Sequence, residues 1–118
     1  MSAPVTMCTG TGPTNTIGDV SGLSVGHAAD VAQKTGVSVV VCDQPTQAGI
    51  SVLGGAPGTR DTELLRQGNS VELVDAIVLS GGSAFGLDAG GGAMAALASR
   101  GRGFLAAGHR VPIVPTAI

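Results

Sequence analysis

Few residues of this chain are equipped for chemistry, and most of them stand alone. His27 and His109 could each serve as a general base, but no carboxylate lies at a helpful spacing from either, and an isolated histidine is more often an ordinary surface or core residue. The most distinctive local pattern is Ser80-Gly81-Gly82-Ser83-Ala84-Phe85-Gly86-Leu87-Asp88, which follows the apolar run Ala76 to Leu79 and leads into small residues from Ala89 to Ser99. A strand feeding a glycine turn feeding a helix gathers backbone N–H groups and a positive helix end at one point, which is how phosphates and oxyanions are held. The established motifs do not fit. The turn has no GxGxxG, no GxxxxGKS/T occurs anywhere, and the single lysine, Lys34, is far away in sequence. The nucleophile pattern GxSxG also fails, because Phe85 stands where its last glycine should be. Two readings stay open for this turn: an anion-binding or catalytic loop, or tight packing of helix on strand.

A second polar cluster, Gly54-Gly55-Ala56-Pro57-Gly58-Thr59-Arg60-Asp61, is fixed as a loop by its glycines and proline. Here an Arg60–Asp61 pair reads more readily as a bridge or helix cap than as a catalytic pair. There is no HExxH, no carboxylate cluster and no Cys/His pairing, so neither a metal nor a cofactor is expected. Cys8 and Cys42 are too few and too far apart for a CxxC motif or a disulfide framework. Both thiols are expected to be reduced, with Cys42 a small core residue in an apolar strand.

Composition narrows the function classes further. The 118 residues carry 12% charged side chains, 20 glycines, two phenylalanines and no Trp or Tyr, with a mean hydropathy of +0.40. Charged residues make up about a quarter of an ordinary soluble domain, so this chain has roughly half the charge needed to coat an independent surface. A net charge of -2 leaves no basic stripe for phosphates, and two phenylalanines give no stacking platform. Nucleic acid is not an expected partner. The best apolar runs, Val37 to Cys42 and Ala76 to Leu79, fall well short of the roughly 18 residues a membrane span needs. Met1-Ser2-Ala3-Pro4 has no basic lead into an apolar stretch, so a cytoplasmic location is expected.

The elements that must position these residues follow from the pattern. Residues 1–15 lack any period and read as a flexible arm. A turn-interrupted first strand is expected from Thr16 to near His27, and over Val37–Cys42 a strand buried on both faces or lying in a sheet centre. Ala48–Leu53 alternates and reads as the antiparallel neighbour of that strand, joined to it by a turn at Asp43-Gln44-Pro45-Thr46. Asp61 should cap a short helix to Arg66, ended by Gly68. Then come a strand at Ala76–Leu79, a helix over Ala89–Ser99 stopped by Arg100-Gly101, and an extended Val111–Pro115. That helix has poor intrinsic propensity, but its small residues permit close backbone approach, so it should lie between layers. A chain that stops just after such a proline-flanked apolar strand reads as a fragment.

Taken in order, four stretches resemble the L-aminopeptidase/D-esterase family of self-processing hydrolases, related to β-aminopeptidases and endo-type nylon-oligomer hydrolases. They are Ile17-Gly18-Asp19-Val20 through Gly26-His27, Gly54 through Thr62, Leu79 through Ala89, and Val111 through Pro115. The resemblance implies an α/β fold, a layered sandwich with helices packed between β-sheets, of which residues 16–118 would be the N-terminal portion of the α subunit. It implies a precursor that cuts itself before a Ser or Thr, whose freed amine is base for its own hydroxyl. That nucleophile would begin the β subunit, so no catalytic residue is expected in this chain, which alone should be inactive. Pro115, Thr116, Ala117 and Ile118 are the expected substrate-binding residues, with Gly81, Gly82, Ser83 and Phe85 backing or shaping the cleft. The implied partners are the rest of the α subunit, the β subunit, further αβ units in a higher oligomer, and a small peptide or amide substrate. Two other classes stand beside this reading: a small anion- or nucleotide-binding module using the Gly81–Gly86 turn, and a non-catalytic scaffold subunit.

Overall fold

A computed structural model describes residues 10–118. Cys8 and the first nine positions of the expected arm lie outside them. Seven strands and one helix follow in order: β1 (Leu23–Asp30), β2 (Thr35–Gln47), β3 (Thr59–Arg60), β4 (Leu73–Ser80), α1 (Asp88–Ala98), β5 (Phe104–Ala106), β6 (His109–Val111) and β7 (Thr116–Ala117). Single 3-10 turns occupy Ile17–Asp19, Glu63–Leu65 and Ser83–Leu87. Five strands form one sheet in the order β1-β2-β4-β7-β3, and β5 and β6 form a separate hairpin. The chain is thus mixed α/β, with one helix on one face of the main sheet.

The β-branched run of β2 lies second in this sheet, and both of its edges are taken. β1 pairs antiparallel on one side, with Val25 opposite Val40 and His27 opposite Ser38, and β4 pairs antiparallel on the other, with Val40 opposite Ile77. This corrects two expectations. The neighbour of Val37–Cys42 is β1, not Ala48–Leu53, because a strand has only two edges and neither is left for residues 48–53. The stretch Asp43–Thr46 is not a turn but part of β2, where the register with β4 slips between Val41 and Thr46. Pro45 has no N–H to give to a ladder, and the irregularity falls where it sits. The expected strand from Thr16 is also shorter at its start, which is a 3-10 turn, and β1 runs on to Asp30.

Alternation sets the two faces of the sheet. Val37, Val39 and Val41 of β2 and Ala76 and Val78 of β4 face α1, where they meet Ala89, Ala93, Met94 and Leu97, with Val114 completing the core. Ala76, Val78 and Val114 are fully buried, and each buried valine contributes roughly 1.5–3 kcal/mol of transfer free energy. The spacing 89, 93, 97 is one face of a helix. Its small residues let the backbone come close: Gly90 is buried, and a Cβ there would run into the Thr116 hydroxyl of β7. Cys42 is buried and free, as its apolar strand implies. Among the described residues, no helix is long and apolar enough to cross a membrane.

The expected helix at Asp61–Arg66 is only a 3-10 turn, and its N-cap is Thr62, not Asp61. Asp61 is exposed with φ 55, while the Thr62 hydroxyl donates to Thr59 Oγ1 at 2.8 Å. Six residues between Asp61 and Gly68 leave too few propagating hydrogen bonds to offset helix nucleation.

Candidate functional site

The sheet's topology decides which candidate residues can meet. β7 lies parallel to β4, with Val78 beside Thr116 and Leu79 beside Ala117. The carboxyl ends of both strands therefore emerge at the same sheet edge, which brings Ile118 level with the start of the Ser80–Phe85 turn. The Gly54–Gly58 loop arrives at the same edge, because β3 runs antiparallel to β7 and the Ile118 N–H donates to Gly58 O at 3.1 Å. Two stretches about thirty residues apart, each singled out in the sequence, thus share one rim.

Their exposure divides them. Gly81, Gly82, Ser83 and Phe85 are exposed, and Phe85 keeps 89% of its surface open to solvent. Pro115 and Thr116 are buried, Ala117 is half-buried and Ile118 is exposed. The Thr116 hydroxyl donates to Val114 O at 3.2 Å beneath Gly90, so in this chain Thr116 supports the rim from inside, while Ile118 reaches its surface.

The turn itself is built on left-handed backbone. Gly82 has φ 90 and Ser83 has φ 57, conformations a β-branched residue tolerates poorly. The Gly81 N–H is already used, donating to Gly36 O of β2 at 2.8 Å. A five-residue 3-10 segment then separates Gly82 from α1. That segment runs without a break into α1 at Asp88, as 3-10 turns at helix N-termini often do, and the Gly81 N–H is spent within the sheet rather than left for a ligand.

Two polar constellations escape a reading of the sequence by spacing. Asp75, in the middle of β4, is buried, and one carboxylate oxygen accepts from the Ile113 N–H at 2.9 Å. The other lies 3.6 Å from Arg102 Nη2 and has no hydrogen-bond partner among the described residues. Arg102 Nη2 donates to Cys42 O at 2.6 Å. This trio fastens the segment after α1 to the sheet. Its sequence signal is a carboxylate set inside the apolar run Val74-Asp75-Ala76-Ile77, where a charge needs a partner. The second constellation is His27 with Ser38: Nδ1 lies 2.8 Å from Oγ, joined by the β1–β2 register rather than by any spacing along the chain. His109 is exposed in β6. Arg60 does not pair with Asp61; its Nη2 lies 3.8 Å from Met94 Sδ over α1. No three or more His, Cys, Asp or Glu gather in a way that could hold a metal ion, among the described residues.

Comparison with known proteins sets this geometry in a family. Residues 15–118 match the model of peptidase family S58. The chain is 43% identical over 114 residues to an "uncharacterized aminopeptidase" of Mycobacterium leprae, covering 90% of this chain and 32% of the relative. It is likewise 43% identical over 112 residues to proteins of the same description from Mycobacterium bovis and Mycobacterium tuberculosis, covering 88% of this chain and 33% of each. The chain thus spans about a third of the length of the curated relatives it matches.

Proposed function

The chain belongs to peptidase family S58, and from that premise we propose that it is the front part of the α subunit of a self-processed aminopeptidase or amidohydrolase. Its substrates are peptides, amino-acid derivatives or amide oligomers. The nucleophile is a Ser or Thr at the start of a β subunit, outside these residues, and its own amine takes the hydroxyl proton. The present residues supply one rim of the cleft: Ala117 and Ile118 at the end of β7, the Gly81–Phe85 turn at the end of β4, with Pro115 and Thr116 underneath. The complete enzyme is a layered sandwich in which this sheet and helix are one part, assembled into a higher oligomer of αβ units in the cytoplasm.

One observation carries this reading: in a chain that belongs to a peptidase family, parallel pairing of β4 with β7 puts both family-like stretches at one sheet edge. A chain with 12% charge and with Ile77, Leu79, Phe85 and Phe104 exposed also suits a piece covered by more protein. The test is expression of the full-length gene, followed by intact-mass analysis and assay on amino-acid p-nitroanilides. Two chains, the smaller beginning with Ser or Thr, together with turnover, are the expected result. A single uncut chain without turnover would refute the proposal.

A further inference from the structure

On the sheet face turned away from α1, β1 presents Leu23 and Val25, β2 presents Val40 and Cys42, and β4 presents Ile77 and Leu79. His27 and Ser38 lie on the same face, at the end where the register puts Ser38 opposite Leu79. His27 is exposed and Ser38 half-buried, so at the end of this largely apolar face the pair stands open and its remaining polar atoms are free to meet a ligand. The pair sits in a shallow groove that it shares with Thr35, Gly81 and Gly82, so it adjoins the glycine turn placed at the cleft rim.

We propose that His27 is a substrate-contacting residue, held by Ser38, whose Nε2 pairs with the amide group of the substrate. The proposal rests on the amidohydrolase reading above. Ser38 fixes the ring through Nδ1 at 2.8 Å and leaves Nε2 as the group available to a ligand. Neutral imidazole carries one donor and one acceptor, and which nitrogen holds the proton follows from the bond the other makes. An amide offers both a carbonyl acceptor and an N–H donor. Either tautomer of His27 therefore has a partner in an amide, which a purely anionic or purely cationic ligand would not provide. Ser38 acts as a positioning residue, since its hydroxyl works through the ring.

The test uses the full-length protein with amino-acid p-nitroanilides as substrates and alaninamide as the NMR probe. In His27→Gln, the KM for the p-nitroanilides should rise at least tenfold while the thermal midpoint stays within a degree of the parent. Ser38→Ala should give a smaller rise in KM, because the ring stays but loses its anchor. The His27 ring signal should shift saturably with alaninamide in the parent, and this response should weaken in Ser38→Ala. A parent that turns over substrate while the His27 signal ignores alaninamide and His27→Gln keeps its KM would overturn this inference alone. Loss of folding in both variants with an unresponsive ring signal in the parent would make the pair a structural one and overturn it equally. A parent with neither turnover nor alaninamide binding would overturn the amidohydrolase reading and this inference with it.

Discussion

The close approach of α1 to β7 can be tested with two glycines two residues apart. Gly90 is buried, and a Cβ built there meets the Thr116 hydroxyl and lies 3.2 Å from Thr116 Cβ. Gly92 is exposed, and a Cβ there meets nothing within 4 Å. Replacing either by alanine gains the same intrinsic term, about 0.8–1.0 kcal/mol of helix propensity. Gly92→Ala should therefore raise stability by about 1 kcal/mol. Gly90→Ala carries in addition the cost of overpacking a filled contact, about 1–3 kcal/mol. Subtracting one variant from the other cancels propensity and leaves the packing cost alone. Urea unfolding of the full-length protein should place Gly90→Ala about 1–3 kcal/mol below Gly92→Ala, with equal slopes. In a Thr116→Ala background the hydroxyl and methyl that block the new Cβ are gone, so the Gly90→Ala penalty should shrink, with a coupling of about 0.5–3 kcal/mol. If Gly90→Ala instead tracks Gly92→Ala within about 0.5 kcal/mol, the helix does not rest on Thr116 as described.

Two further outcomes follow from charged groups. Removing Arg102 by Arg102→Met leaves the buried Asp75 without its counter-ion and should cost about 3–5 kcal/mol in the same unfolding experiment, whereas Asp75→Asn with Arg102→Met together should cost less than the sum; additive losses would show that the two do not interact. Asp19 accepts from the Thr14 hydroxyl at 2.7 Å and from the Thr14 and Thr16 N–H groups. Chiefly through that hydroxyl, its carboxyl is held below the ordinary 3.8. A lowered folded value means the contact is fully present above 3.8 and is lost as pH falls through the lower folded value. Amide exchange at Thr14 and Thr16, corrected for its intrinsic pH dependence, should thus lose protection only below that range, and Asp19→Asn should abolish the transition; protection unchanged down to pH 2 would contradict the assignment.

What the sequence revealed depended on whether the cause was local. The Val37–Cys42 run, the Ala76–Leu79 strand and the small-residue helix ending at Arg100-Gly101 were legible because composition and period act within a few residues. Ala48–Leu53 lies near β2 in sequence but cannot pair with it, because β1 and β4 occupy both edges of β2. The Asp61 cap failed because Asp61 adopts a left-handed backbone, φ 55, and the turn begins one residue later, with Thr62 at the N-cap position. At the rim, the glycine turn and the final strand could each be singled out, but their meeting depends on the parallel register of β4 and β7. The His27–Ser38 and Asp75–Arg102 pairs were hidden for the same reason, since eleven and twenty-seven residues separate partners that only the folded sheet or the loop after α1 brings together.

The position of β7 has a consequence for the order in which the sheet forms. β7 stands between β4 and β3, so Thr59 and Arg60 have no strand to pair with until Thr116 and Ala117 arrive, more than fifty residues later. β1, β2 and β4 can zip together from neighbouring stretches of chain, but the Gly54–Gly58 loop and β3 must wait. Pairing over such separations is slow, because the loop must close before the contacts reward it. The rim is thus the part of the sheet whose pairing spans the longest stretch of chain, and its arrangement depends on the rest of the sheet being in place first.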